Sequence, residues 1–116
     1  MKFTRLALSM AAAGVIAGTA MVDTARADYD AYTVPNLVYR TGPYAPNGIP
    51  VANGFLDYFN MINERDGGIE GIKVNVVECE TAYNTKQAVE CYENTKNEGQ
   101  SGALAMNPHS TGATYA

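Results

Sequence analysis

The stretch Ile72-Lys73-Val74-Asn75-Val76-Val77-Glu78 decides the fold class. It alternates at first and then turns doubly apolar at Val76-Val77, the pattern of a strand whose sheet is covered on both faces. Upstream, the apolar residues Val51, Ala52, Phe55, Leu56, Phe59 and Ile62 fall on one helical stripe. That predicts a helix from about Ile49, with Pro50 in its first turn, to Asp66-Gly67-Gly68, where glycine supplies a left-handed stop. Downstream, Asn84-Thr85-Lys86-Gln87 reads as an Asx/Gln variant of the capping box. It opens a second helix to about Asn97, whose less polar face carries Ala88, Val89, Cys91, Tyr92 and Thr95.

Further out on each side lies another short apolar run. Val34 to Arg40 reads as a strand ending at the breaker Thr41-Gly42-Pro43, and Tyr44 to Gly48 continues that loop. Ala103 to Met106 reads as a third buried strand. Asn107 to Gly112 then forms a loop whose Ser110 and Thr111 suit the N-cap of a helix beginning near Gly112. The order is βαβαβ, and connections of this length give a parallel sheet with helices on both faces: an α/β, three-layer arrangement. Three strands with an unprotected flank make the chain read as cut off after Ala116.

The first 27 residues stand apart. Lys2 and Arg5 precede an apolar run from Leu6 to about Ala20, and Ala25-Arg26-Ala27 is a small-x-small processing site. This is the pattern of a signal peptide cleaved after Ala27. A membrane anchor would need about 20 strongly apolar residues, and this run is shorter and rich in Ala and Gly. The expected mature product, 28–116, is soluble and exported, and what it lacks would lie beyond Ala116. It keeps five basic and eleven acidic residues, a formal net charge of −6. With no Lys/Arg cluster, nucleic acid and anionic membrane are not expected partners, and no later apolar run is long enough to insert in a bilayer.

Cys79 and Cys91 are the two cysteines. In an oxidising compartment an even pair reads first as a disulfide, worth about 3 kcal/mol for so short a loop, with a pair of buried free thiols as the alternative. Their spacing fits neither a CxxC redox motif nor a zinc site, so no metal and no cofactor are expected.

In an open parallel sheet, ligands bind beyond the carboxyl ends of the strands. Two loops meet that condition, Thr41 to Gly48 and Asn107 to Gly112. Ser110 and Thr111 offer hydroxyls at a helix start, suited to a carboxylate or simply to capping. Tyr44 is a candidate wall for an apolar or aromatic ligand, or packed surface, and Tyr83 is a second of that kind. His109, the only histidine, reads as a loop residue or ligand contact, because no nucleophile or orienting acid accompanies it. Glu78 and Glu80 read as solvated rim charges. Gly42 to Gly48 lacks the Lys-Ser/Thr of a phosphate loop, and no G-x-G-x-x-G follows a strand. No catalytic residues are expected.

Thr41-Gly42-Pro43-Tyr44-Ala45 after the first strand resembles the opening loop of the periplasmic substrate-binding proteins of branched-chain amino acid ABC transporters. The run Ile62-Asn63-Glu64-Arg65-Asp66-Gly67-Gly68-Ile69-Glu70-Gly71-Ile72-Lys73-Val74 is similar to the same family, as is Lys86-Gln87-Ala88-Val89 at the second helix. Ser110-Thr111 resembles the loop after its third strand. The resemblance implies part of the N-terminal lobe of a two-lobed protein three to four times longer, monomeric when full length, closing on ligand by a hinge. It implies a non-enzymatic periplasmic protein that delivers a small solute to an inner-membrane ABC permease. The solute would be a leucine-like amino acid, an amide, urea or an aromatic acid. Ser110 would then hold the ligand carboxylate with Thr111 beside it, and Tyr44 would face the ligand. Pro108 and His109, and the cysteine spacing, depart from the leucine-binding pattern and imply another ligand. A ligand sensor of the same fold and a small exported α/β enzyme are the alternatives.

Overall fold

The computed structural model describes residues 29–116. The expected signal peptide and its expected cleavage site after Ala27 lie outside the described residues. Two strands, β1 (Ala31–Val38) and β2 (Lys73–Glu80), run parallel and in register from Ala31 opposite Lys73 to Val38 opposite Glu80. Between them comes α1 (Ala45–Arg65); after them come α2 (Thr85–Thr95) and a single turn, α3 (Thr111–Thr114). This is the α/β architecture expected, with α1 and α2 on opposite faces of the sheet.

Leu37 points one way from β1 and packs with Ala88 and Cys91 of α2, with Met106 and Ala113 against them. Val34 and Val38 alternate to the other face and are buried, as are Val74 and, on α1, Ala52. Burial on both sides fits the short, mainly apolar run that begins at Val34 and is interrupted by Asn36. Burying each of these valine and leucine side chains contributes about 1.5–3 kcal/mol. Cys79 of β2 and Cys91 of α2 are joined in a disulfide, with Cα atoms 5.7 Å apart.

β2 runs Lys73–Glu80 rather than Ile72 to Glu78, and four further differences from the sequence reading have identifiable causes. β1 lies earlier than Val34 to Arg40, because the Thr81 backbone N–H and hydroxyl both donate to Val38 O, at 2.8 and 2.9 Å, and close the ladder there. α1 starts a turn before Ile49, so Tyr44 to Gly48 is not all loop and Pro50 is interior. Tyr44 O accepts from Asn47 and Gly48 N–H, both at 3.0 Å, which closes that extra turn. Gly48 permits it, since a Cβ there would sit 2.0 Å from Tyr39 O. α2 ends at Thr95, where the Thr95 hydroxyl turns back to Cys91 O. Asn84 caps α2 by accepting from Gln87 N–H. Its own N–H goes to Thr81 O, so the reciprocal half of the box is absent.

The fourth correction concerns Ala103 to Met106, which is not a regular strand. Leu104 N–H bonds Thr33 O, but the next bond to β1 comes from Asn107 N–H to Pro35 O. Three residues on one side span two on the other, a bulge that breaks the ladder and leaves a single bridge at Asn36 and Asn107. On the far side of the sheet, Asn63 of α1 reaches round to β2. Its carboxamide donates to Val74 O at 2.7 Å and accepts from Val74 N–H at 2.8 Å. Among the described residues no helix is long and apolar enough to cross a membrane.

Candidate functional site

Three loops leave the carboxyl edge of the sheet. The first follows β1 and runs from Tyr39 to Tyr44; the second follows β2, from Thr81 to Asn84; the third follows the bulged segment, from Asn107 to Ser110.

The first two form one unit. Gly42, at φ 79°, passes so close that a Cβ there would lie 3.3 Å from Ala82 O. The Tyr83 ring packs edge-on against Tyr39 at 5.0 Å and at a tilt against Tyr44 at 4.6 Å. Tyr44 is 51% exposed and Tyr83 38%, so the cluster presents ring surface to solvent. Ala82 and Tyr83 hold φ 48° and 61°, left-handed conformations that each cost on the order of 1 kcal/mol without glycine.

Glu80 contradicts its reading as a solvated rim charge. Its Oε2 accepts from Arg40 N–H at 2.9 Å, and its Oε1 from Ala82 N–H, the Thr41 hydroxyl and Thr41 N–H at 2.8, 3.0 and 3.3 Å. Desolvation opposes its ionisation, but these hydrogen bonds outweigh it and hold the carboxyl below its ordinary range. Glu78 is engaged as well: the Arg40 guanidinium grips it through two bonds, at 2.7 and 2.9 Å, and gives a third to Asn53 Oδ1. Arg40 is thus committed to Glu78 and Asn53.

The third loop is held differently. His109, at φ 48°, sets its Nε2 2.6 Å from Asn36 Oδ1 and packs edge-on against Phe55, ring centres 5.8 Å apart. Desolvation pushes its pKa down, favouring the neutral ring. Asn36 is wholly buried, and its Nδ2 has no partner among the described residues. Ser110 caps α3, accepting from Ala113 N–H at a long 3.4 Å, and Thr111 is exposed beside it. Tyr83, His109, Ser110 and Thr111 share one shallow depression of about 440 Å³ with Asn107 and Tyr115. Tyr44 does not line it, but meets it through Tyr83. Among the described residues no cluster of His, Cys, Asp or Glu could hold a metal ion.

Sequence reasoning missed Glu80, Tyr39 and Asn36. Asn36 did carry a signal, as a polar residue inside the apolar run Val34 to Val38. Nothing local marks Glu80, three of whose four donors come from a loop about 40 residues away.

Residues 31–116 match the family described as periplasmic binding protein. The chain belongs to that family. Its members include the substrate-binding type that the motifs at Thr41 to Ala45 and Ile62 to Val74 resemble. Among solved structures it is similar to an ABC transporter permease from the Pseudomonas fluorescens group, with 41% identity and a TM-score of 0.66. That match covers 72% of this chain and 20% of the other. It is also similar to a fatty acid ABC transporter substrate-binding protein from Thermomonospora curvata, with 25% identity and a TM-score of 0.59. There the coverage is 66% of this chain and 18% of the other, so the chain spans about a fifth of each relative. None of the curated proteins matches the chain.

Proposed function

We propose that this chain contributes one wall of the ligand cleft of an ABC importer's solute-binding protein. On this reading, residues 1–27 direct export to the periplasm and are removed, and residues 28–116 belong to the N-terminal lobe. The protein takes up a small carboxylate-bearing solute and hands it to an inner-membrane permease, working as a monomer. The observation that carries the reading is the convergence of Tyr83, His109, Ser110 and Thr111 on one depression at the carboxyl edge of a parallel sheet. The Tyr44–Tyr83 pair would wall the apolar part of the solute. The hydroxyls of Ser110 and Thr111 would take its carboxylate.

The chemistry present favours binding over catalysis. His109 faces Asn36 and Phe55 rather than a carboxylate, so the general-base pairing of a hydrolase is not assembled there. With Arg40 engaged by Glu78, the hydroxyls and backbone of the third loop carry anion recognition, which suits a single carboxylate better than a phosphate. The test is calorimetry of the intact protein against L-leucine, L-isoleucine, benzoate, urea and a medium-chain fatty acid. Saturable binding of a carboxylate-bearing member, weakened at least about tenfold by Ser110→Ala with Thr111→Val, is expected. Equal affinity in that double variant would place the carboxylate elsewhere.

A further inference from the structure

We propose that Glu80 is a positioning residue, a latch that holds the first two loops of the carboxyl edge in one arrangement and so presets the Tyr39–Tyr44–Tyr83 wall. The proposal rests on the reading of that edge as the solute site.

The geometry is specific. A single carboxylate accepts from Arg40 N–H, Thr41 N–H and the Thr41 hydroxyl on the first loop and from Ala82 N–H on the second. It thereby spans the seam where Gly42 and Ala82 touch. Only an ionised carboxylate fits this seat, because every group facing it is a donor. A glutamine amide would turn an NH₂ toward at least one N–H. The charged groups nearby are Arg40 and Glu78. Because the Arg40 guanidinium is engaged by Glu78 and Asn53, Arg40 serves Glu80 through its backbone N–H. The bond to Ala82 N–H also fixes the first of two consecutive left-handed residues, the second being Tyr83. Tyr83 touches both other rings of the wall. The latch therefore acts on the wall through the backbone, without touching a solute.

Hydrogen exchange on the intact protein tests this with Glu80→Gln, Glu80→Ala and Thr41→Val. Both Glu80 variants are expected to raise exchange at Arg40, Thr41 and Ala82 by roughly five- to tenfold, the size of one lost hydrogen bond. The near-ultraviolet tyrosine signal should change with them, while β1 and β2 keep their protection. Thr41→Val leaves the charge in place and should loosen the first loop alone. Unchanged exchange at these amides in both Glu80 variants would overturn the proposal. So would a uniform rise across β1 and β2, which would make Glu80 a general stabiliser. A second arm measures binding of L-leucine and benzoate. Weaker binding in the Glu80 variants supports the positioning role, and loosened loops with unchanged affinity overturn it. If the unaltered protein binds neither, the solute reading is at fault, and exchange alone judges the latch.

Discussion

The edge of the sheet has two halves built on different principles. The Tyr39–Tyr44 and Thr81–Asn84 loops are held by a carboxylate with four donors, a three-ring cluster and, just behind, the Cys79–Cys91 bridge. The Asn107–Ser110 loop hangs from a bulged contact with β1 and a single bond between His109 and buried Asn36. Several ties share the load in the first half, so losing any one loosens it without releasing it. The second half has fewer ties, the backbone bonds of Asn107 to β1 and the His109–Asn36 pair, so local opening should begin there.

Three perturbations would break or sharpen that contrast. Replacing both cysteines with alanine should have the largest effect, a loss of about 2–5 kcal/mol of stability by denaturant titration. Because the bridge ties β2 to α2, its removal should loosen the Thr81–Asn84 loop more than the Asn107–Ser110 loop. An opposite order in hydrogen exchange would place the weaker half on the wrong side. Asn36→Ala comes next, at about 1–3 kcal/mol, since His109 loses its acceptor and a small cavity opens inside β1. Here exchange should rise around Asn107 to Ser110 and leave Arg40 to Thr41 protected.

Acidification should give the smallest effect and separate the halves by pH. Burial holds the folded pKa of His109 below its ordinary 6.5. The unfolded chain therefore binds the proton first, and stability is lost as pH falls from about 6.5 through the folded value. Desolvation of Glu80 is outweighed by its hydrogen bonds, which hold its folded pKa below the ordinary 4.5. Its contribution is complete above 4.5 and disappears as pH falls through the folded value, with Arg40 and Glu78 as its charged neighbours. The third loop should thus loosen at a higher pH than the first two. Simultaneous loosening of all three, followed by amide exchange or by tyrosine and histidine resonances, would contradict the division.

What the sequence made legible follows the same line between local and distant causes. The stripe of α1 (apart from Val51, which is exposed), the alternation of β2, the caps at Asn84 and Ser110 and the stop at Gly67-Gly68 each rest on residues within a turn or two, and each stands in the structure. Gly67, at φ 75°, takes the left-handed stop, and Gly68 N–H returns to Ile62 O. The early start of α1 depends instead on Tyr39 meeting Gly48. The irregular third segment depends on a mismatch of one residue against β1. The role of Glu80 depends on two loops brought together by the fold. Periodicity carries none of these. Candidate ligand residues fell between the two cases. The α/β pattern put Ser110 and Thr111 at the carboxyl edge of the sheet, but it could not say that Tyr83 shares their depression and that Tyr44 reaches it only through Tyr83.

One earlier contact bears on how this sheet behaves in company. By giving its carboxamide to both Val74 N–H and Val74 O, Asn63 imitates a neighbouring strand at the outer border of β2. Those two groups would otherwise invite an extended segment from another molecule to dock there. The border is therefore blunted from within by a side chain of α1, and extension of the sheet is steered to the opposite flank, beyond the bulged segment that pairs with β1. Asn63→Leu should uncover that border and show itself as concentration-dependent association rather than as lost solute binding.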